Sequence, residues 1–226
     1  MTMPLSAIAP DLFTATSTRR FLGGVILPVC MTAVRLPDGT VTLISPLPMD
    51  DALAAEIAAL GPVGALVGPS LLHHLSLGPA RERFPQAALL GAPGLAIKRP
   101  DLVFDGEVSE GGPWGDALTA LPVAGAPRLN EVVFHHRASR TLIVTDLVFN
   151  IAQPANRRTG MVLRMMGTRG RFARSREWAV LIRDRAAFRA SVDRILEHPF
   201  ERVIMAHGDV FEDDAHSALA RALGRA

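Results

Sequence analysis

Short apolar runs broken by turn residues, with only a few stretches at helical spacing, set the pattern of this chain. The β-rich runs Cys30–Leu36 and Thr40–Ser45 flank Pro37-Asp38-Gly39, which predicts a β-hairpin. Pro46 and Pro48 stop it, and Asp50 stands where an N-cap belongs for a helix over Asp51–Leu60, whose Leu53, Ile57 and Leu60 recur at helical spacing. An apolar strand over Ala65–Val67 then runs into Gly68-Pro69, and the loop that follows presents His73 and His74 at the expected start of a helix. A short helix over Pro79–Phe84, a strand over Ala87–Leu90 and a glycine- and proline-rich loop region from Gly91 to Pro113, with a short helix near Gly94–Lys98, come next.

Leu118–Val123, Glu131–His136 and Thr141–Thr145 are three further β-rich runs, the last two joined by the turn Arg137-Ala138-Ser139-Arg140. After Asn150 the periodicity blurs. Seven arginines from Arg157 to Arg176 occur there with no acidic residue between them, interleaved with Met161, Met165 and Met166. An amphipathic helix over Arg185–Glu197, a buried strand over Arg202–Ala206 and a terminal helix over Asp213–Leu223 complete the reading. Two successive blocks that each mix strands with helices predict paired sheets with helices outside.

With 226 residues, 49% of them hydrophobic, the chain can bury a full core, and it reads as a single domain over 1–226 with residues 1–24 as an N-terminal extension. A formal charge of only +2 gives no reason to expect a nucleic-acid partner. The one cysteine, Cys30, excludes an intrachain disulfide and a multi-thiolate zinc site, and reads as a buried small hydrophobe. Thr18-Arg19-Arg20-Phe21-Leu22 and the apolar residues after it imitate a twin-arginine signal, but the run breaks at Pro28 and flows into the predicted hairpin. No apolar run reaches the ~20 residues of a membrane span, so the expectation is a cytoplasmic protein with no membrane partner; homo-oligomerisation stays open.

The chemistry gathers at strand ends. Thr-Leu-Ile-Val-Thr-Asp146 ends one predicted strand with a carboxylate, Val-Ile-Met-Ala-His207-Gly208 ends another with an imidazole, and His73-His74 follow a third. Each alone has an ordinary explanation as a cap, a turn former or a core histidine. Together they are ligand types that suit zinc, iron or manganese, held on strand exits that do not move.

These residues resemble the metallo-β-lactamase superfamily, whose signature is a strand followed by T-H-x-H-x-D-H, a later histidine in a G-H-T-like turn, an aspartate after a strand, and a histidine after the last strand. Laid on that signature, Pro69 and Leu71 stand at the first two histidines, His73 at the aspartate and His74 at the last histidine of the motif. Ala126 stands at the later histidine, Asp146 and His207 fall on the last two ligand positions, and Ser45-Pro46 replaces the usual Asp-containing turn after the hairpin. The resemblance, from Val25 to Leu223, implies a four-layer αββα sandwich of two mixed sheets flanked by helices. It places the chain in an uncharacterised branch with a degenerate first metal site. It also implies one divalent metal, zinc first and iron or manganese otherwise, held by His73, His74, Asp146 and His207.

Four protein ligands would close a zinc site, so catalysis requires either five-coordination or that one of them, with His73 the candidate, stand off as a base. His136 and Asp209 are the expected partners that orient the ligand imidazoles. Two functions stay open: a metal-dependent hydrolase of a small, possibly anionic substrate, and an inactive binding or structural member with a structural metal or none. The arginine run is either an anion clamp or a solvated face. Trp114 and Trp178 are candidates for a pocket mouth.

Overall fold

The computed structural model describes residues 4–224. In chain order the elements are β1 (Ser6–Ala9), β2 (Leu12–Arg20), β3 (Ile26–Arg35), β4 (Val41–Ile44), α1 (Asp51–Leu60), β5 (Val63–Gly68), α2 (Leu77–Arg83), β6 (Ala88–Gly91), α3 (Leu95–Lys98) and β7 (Gly106–Glu107). There follow β8 (Leu118–Pro122), β9 (Val132–His136), β10 (Thr141–Ile143), α4 (Arg157–Met166), α5 (Arg176–Leu181), α6 (Arg185–Glu197), β11 (Arg202–Ile204) and α7 (Ala215–Ala222). The first sheet orders its strands β1 through β7; the second runs β11-β10-β9-β8. Both are mixed: β1 to β4 pair antiparallel and β4 to β7 parallel, while β11 joins β10 in parallel at the edge of an otherwise antiparallel sheet.

Strand alternation builds three apolar layers. Cys30, Val34, Ile44 and Val67 of the first sheet meet Val132, Phe134, Ile143 and Ile204 of the second in the sandwich interior. Their neighbours point the other way: Met31, Leu43 and Leu66 pack under Leu53 and Ile57 of α1 and Leu77 of α2. On the opposite outer face, Val133, Leu142 and Val203 pack under α6 and α7 through Phe188, Val192, Ile195 and Leu219. These are the four layers, αββα, expected of the resemblance. Strands covered on both faces carry no polar alternation, which is why β9 reads Val-Val-Phe-His-His with every residue buried.

The cap read from sequence is in place, the Asp50 carboxylate accepting from Leu53 N, and the structure adds a second: Asp184 accepts from Ala186 N and Ala187 N at the start of α6. Four expectations need correction. Residues 6–20, within the expected N-terminal extension, form β1 and β2, and β2 pairs with β3 over nine residue pairs from Leu12–Val34 to Arg20–Ile26. The helix expected at His73 begins only at Leu77, leaving both histidines on irregular backbone. The blurred arginine-rich stretch contains α4 and α5, each N-capped by a side chain, Asn156 to Thr159 N and Ser175 to Trp178 N. Trp114 and Trp178, candidates for a pocket mouth, are both buried in apolar layers. Cys30 is buried as expected, and burial pushes its thiol up to about 12, so it is inert as a nucleophile. Among the described residues no helix is long and apolar enough to cross a membrane.

Candidate metal centre

Three strand exits converge at one edge of the sandwich. After β5, the Ser70 hydroxyl accepts from Leu72 N and His73 N, curling the loop into a tight turn that projects His73. The loop is tied to the segment before β9 by Leu71 N to Leu129 O at 2.8 Å and Val132 N to Pro69 O at 2.8 Å. Past β11, Gly208 lies at φ +122, and a Cβ there would stand 2.1 Å from the Asn150 carbonyl oxygen. Only glycine fits this close approach, which seats His207 against the loop that carries Asp146.

The Asp146 carboxylate lies between the two imidazoles. Its Oδ1 is 3.2 Å from His207 Nε2 and its Oδ2 is 3.3 Å from His73 Nε2. One ligand atom from each of the three residues falls within 4.8 Å of the other two. The far ring nitrogens are held by protein: His207 Nδ1 donates to the Pro28 carbonyl at 2.7 Å, and His73 Nδ1 lies 2.9 Å from the Ser45 hydroxyl. A carbonyl only accepts, so His207 Nδ1 carries its hydrogen and Nε2 is the atom left to face Asp146. Ser45 itself sits at φ +55, left-handed backbone that a side chain adopts at a cost, here at a contact to the site. Phe149 stacks on the His207 ring, with centroids 5.1 Å apart and planes at 15°.

Beneath the cluster lies Glu131, only 1% exposed. Its carboxylate accepts from three consecutive backbone amides, Thr145 N at 2.7 Å, Asp146 N at 3.1 Å and Leu147 N at 3.3 Å. It thus fixes the backbone from which Asp146 projects. Burial, and then the nearby Asp146 charge, raise the Glu131 pKa to about 7 despite these donors. For Asp146 burial works upward, but the two imidazoles outweigh it and hold the carboxyl well below the usual range. Burial works against the charged form of His207 as well; the hydrogen bond and charge of Asp146 win, and its pKa is raised.

The donor set fits a divalent cation. Asp146 Oδ2 is buried and has no hydrogen-bond donor, since His73 Nε2 is near it without being aligned to bond. Two imidazoles anchored through their outer nitrogens and one ionised carboxylate make a three-ligand set, which leaves further coordination positions to solvent or substrate.

His74 is not brought to this cluster. Consecutive side chains diverge, and its Nδ1 lies 3.2 Å from Arg99 Nη1, which also donates to the His74 carbonyl at 2.9 Å. A guanidinium can only donate, so that ring nitrogen is spent as an acceptor. Burial first, then the Lys98 and Arg99 charges, lower the His74 pKa to about 4. His136 is also elsewhere: it pairs with Thr141 at the opposite end of β10, roughly 16 Å of strand from Asp146, and its Nδ1 meets Ser139 Oγ at 2.7 Å. Asp209 contributes backbone only, its N–H to Asn150 O and its carbonyl to Asn150 Nδ2. The expected orienting roles fall instead to Pro28, Ser45 and Glu131. A lone carboxylate within Leu129-Asn130-Glu131-Val132-Val133-Phe134 was the available signal for Glu131; a backbone carbonyl such as Pro28 leaves none.

Solved structures support the architecture. The chain superposes on a metallo-β-lactamase from Pontibacter korlensis with TM-score 0.68 at 14% identity, covering 99% of this chain and 100% of that one. The FIM-1 metallo-β-lactamase from Pseudomonas aeruginosa in its mono-zinc form gives TM-score 0.64 at 13% identity, over 99% of this chain and 96% of that one. A metallo-β-lactamase from Hirschia baltica gives 0.65 at 13%, over 97% and 98%. At such identities the likeness is one of fold. No curated protein sequence matches the chain. Residues 18–161 match a family model described as a domain of unknown function, DUF4336, and the span runs from the tip of β2 through the His73 loop and Asp146 into α4. The chain belongs to the DUF4336 family and is built on the metallo-β-lactamase fold.

Proposed function

We propose that this chain holds one divalent cation on His73, Asp146 and His207 and uses it to hydrolyse a small, anionic substrate. The observation that carries the reading is the buried Asp146 carboxylate, one oxygen without a donor, between two imidazoles whose outer nitrogens are already engaged. With His74 turned away, the set has three protein ligands, the format of catalytic rather than structural zinc. The same two-His, one-carboxylate set also accepts iron or manganese. A relative of the same fold, FIM-1, exists in a mono-zinc form, so one ion on this scaffold has a parallel.

When bound, such an ion acidifies a water and polarises the scissile group. The protein's part is positional. Pro28 fixes the His207 tautomer, Ser45 orients His73, and Glu131 pins the backbone of Asp146, so neither imidazole has to reorganise as charge develops. Lys98, whose ammonium donates to the Leu71 carbonyl, brings positive charge to the His73 loop, in keeping with an anionic substrate, while Arg99 beside His74 is paired with Asp101.

A second reading, a retired enzyme with a structural ion, draws on Pro69, Leu71 and Ala126 standing where the superfamily has histidines, and on site side chains only 7% to 11% exposed. Elemental analysis after gentle purification, followed by an ester, thioester and phosphodiester panel, separates the two. Hydrolysis predicts about one equivalent of metal and an activity that chelator abolishes and metal restores. Metal-loaded protein that is inert across the panel would leave the structural reading standing.

A further inference from the structure

The tip of the β2–β3 hairpin and the outer face of α4 carry exposed apolar side chains that no core explains. Leu22, at the tip, is 99% exposed, and Phe21 beside it 42%. On α4, Met161 and Met165 are 65% and 69% exposed, one helical turn apart, while the opposite face buries Thr159, Gly160 and Leu163. Hairpin and helix form one surface. Thr159 Oγ1 accepts from Ile26 N, Asn156 Nδ2 donates to Gly24 O, and Arg158 Nη1 donates to Gly23 O.

The charge carried by these two segments is of one sign. Arg157, Arg158 and Arg164 share the exposed face of α4 with the two methionines, and Arg19 and Arg20 immediately precede the tip. No acidic residue occurs between Asp11 and Asp38 or between Asp146 and Glu177. A second copy seated on this face by two-fold symmetry would bring the same arginines against one another. A nucleic acid would use the arginines but leave a fully exposed leucine and two methionines without a partner. An anionic bilayer surface satisfies both chemistries, with guanidinium groups at the phosphates and Leu22, Phe21, Met161 and Met165 below them.

We propose that the hairpin tip and the outer face of α4 dock this protein peripherally on anionic lipid bilayers. The expectation of no membrane partner rested on the lack of a spanning segment, and a surface contact needs none. Docking would also set the metal centre close to the lipid: Leu163 of α4 and Leu27 of the hairpin pack with Phe149, the ring stacked on His207.

The test is sedimentation of the full chain with vesicles of phosphatidylcholine, with and without roughly 30% phosphatidylglycerol, at low salt. Binding is expected only with the anionic vesicles. Leu22→Ser is expected to weaken it about tenfold, from loss of one buried leucine, and Arg157→Gln with Arg164→Gln about thirtyfold. Leu22→Trp, at a position in open solvent, is expected to add a blue-shifted emission on anionic vesicles. The proposal is overturned by no sedimentation with anionic vesicles, by binding that Leu22→Ser leaves intact, or by a dimer in solution that the same substitutions abolish. Metal content does not enter any of these readouts.

Discussion

Replacing Glu131 tests whether the metal site depends on the shape of its supporting backbone. In Glu131→Ala, three buried amides, those of Thr145, Asp146 and Leu147, lose their acceptor, at about 1–3 kcal/mol each. Against this, a carboxyl whose pKa burial has raised from 4.5 to about 7 costs the folded state about 3 kcal/mol at neutral pH, and the substitution removes that cost. The alanine variant is therefore expected to lose up to about 6 kcal/mol net. Glu131→Gln behaves differently. Its carbonyl can still take Thr145 N and Leu147 N, both bound to Oε1, while its amide group faces Asp146 N, so one acceptor, worth about 1–3 kcal/mol, is lost and the charge cost disappears. Its global stability is expected to stay within about 2 kcal/mol of the parent. The one amide left unsatisfied belongs to Asp146, so metal affinity should fall by about 10–100-fold. Urea unfolding followed by the fluorescence of buried Trp114 and Trp178 reads the first quantity, and competition with a chromophoric chelator the second. A glutamine variant that binds metal as tightly as the parent would refute the positioning role and leave Glu131 a structural carboxylate.

Three further outcomes follow from the same contacts. His74→Phe should keep full metal stoichiometry and lose only about 1 kcal/mol, because Arg99 retains the His74 carbonyl and Asp101; loss of metal on elemental analysis would return His74 to the ligand set. Gly208→Ala, which forces a Cβ to 2.1 Å from the Asn150 carbonyl at φ +122, should cost about 3 kcal/mol or more and displace His207, visible as a lowered urea midpoint together with weakened metal binding. His135 and His136, both lowered from 6.5 chiefly by burial, take up protons less readily in the fold than in the unfolded chain, so the unfolded chain binds more protons just below pH 6.5 and stability must fall as pH drops through that window. Urea midpoints measured across it should flatten in His135→Phe, and an unchanged slope would show that other groups set the acid limb.

How far the sequence could be read depended on whether the decisive contacts were local. Helices α1 and α6 match their predicted bounds because their cap, spacing and stop all lie within the segment, as with Asp50 ahead of Asp51–Leu60. Helix α4 escaped because its buried face is carried by Thr159, Gly160 and Leu163, small or polar residues that give no apolar stripe, while its methionines face outward. Strand β2 was hidden by the apparent signal motif at Arg19-Arg20. In the site, the residue types and their strand-exit positions were legible for His73, Asp146 and His207. Which of two adjacent histidines faces the carboxylate was not, since the Ser70 turn, the Leu129 carbonyl and Arg99, 25 residues away, decide it. The supporting groups were harder still: Pro28 acts through its carbonyl, 179 residues from His207.

The electrostatics of the cluster imply a final outcome. Without a cation, Asp146 leans on His207 at 3.2 Å, whose pKa that contact raises, its Oδ2 has no donor, and a second buried carboxylate, Glu131, lies beneath it. A divalent ion among these groups would take up His207 Nε2 and satisfy the orphaned oxygen at once. Binding of that kind is confined to the fold, because the three ligands are 73 and 61 residues apart in the chain and do not meet once it unfolds. Free metal at about a hundred times its dissociation constant should then stabilise the protein by about 2.7 kcal/mol, a rise in melting temperature of roughly 5–10 °C. Chelator should reverse the shift, and Asp146→Asn should abolish it. A melting temperature indifferent to zinc, manganese and iron in the parent protein would mean that the orphaned oxygen is satisfied by water, and the cluster would be a hydrogen-bonded clasp between the two sheets.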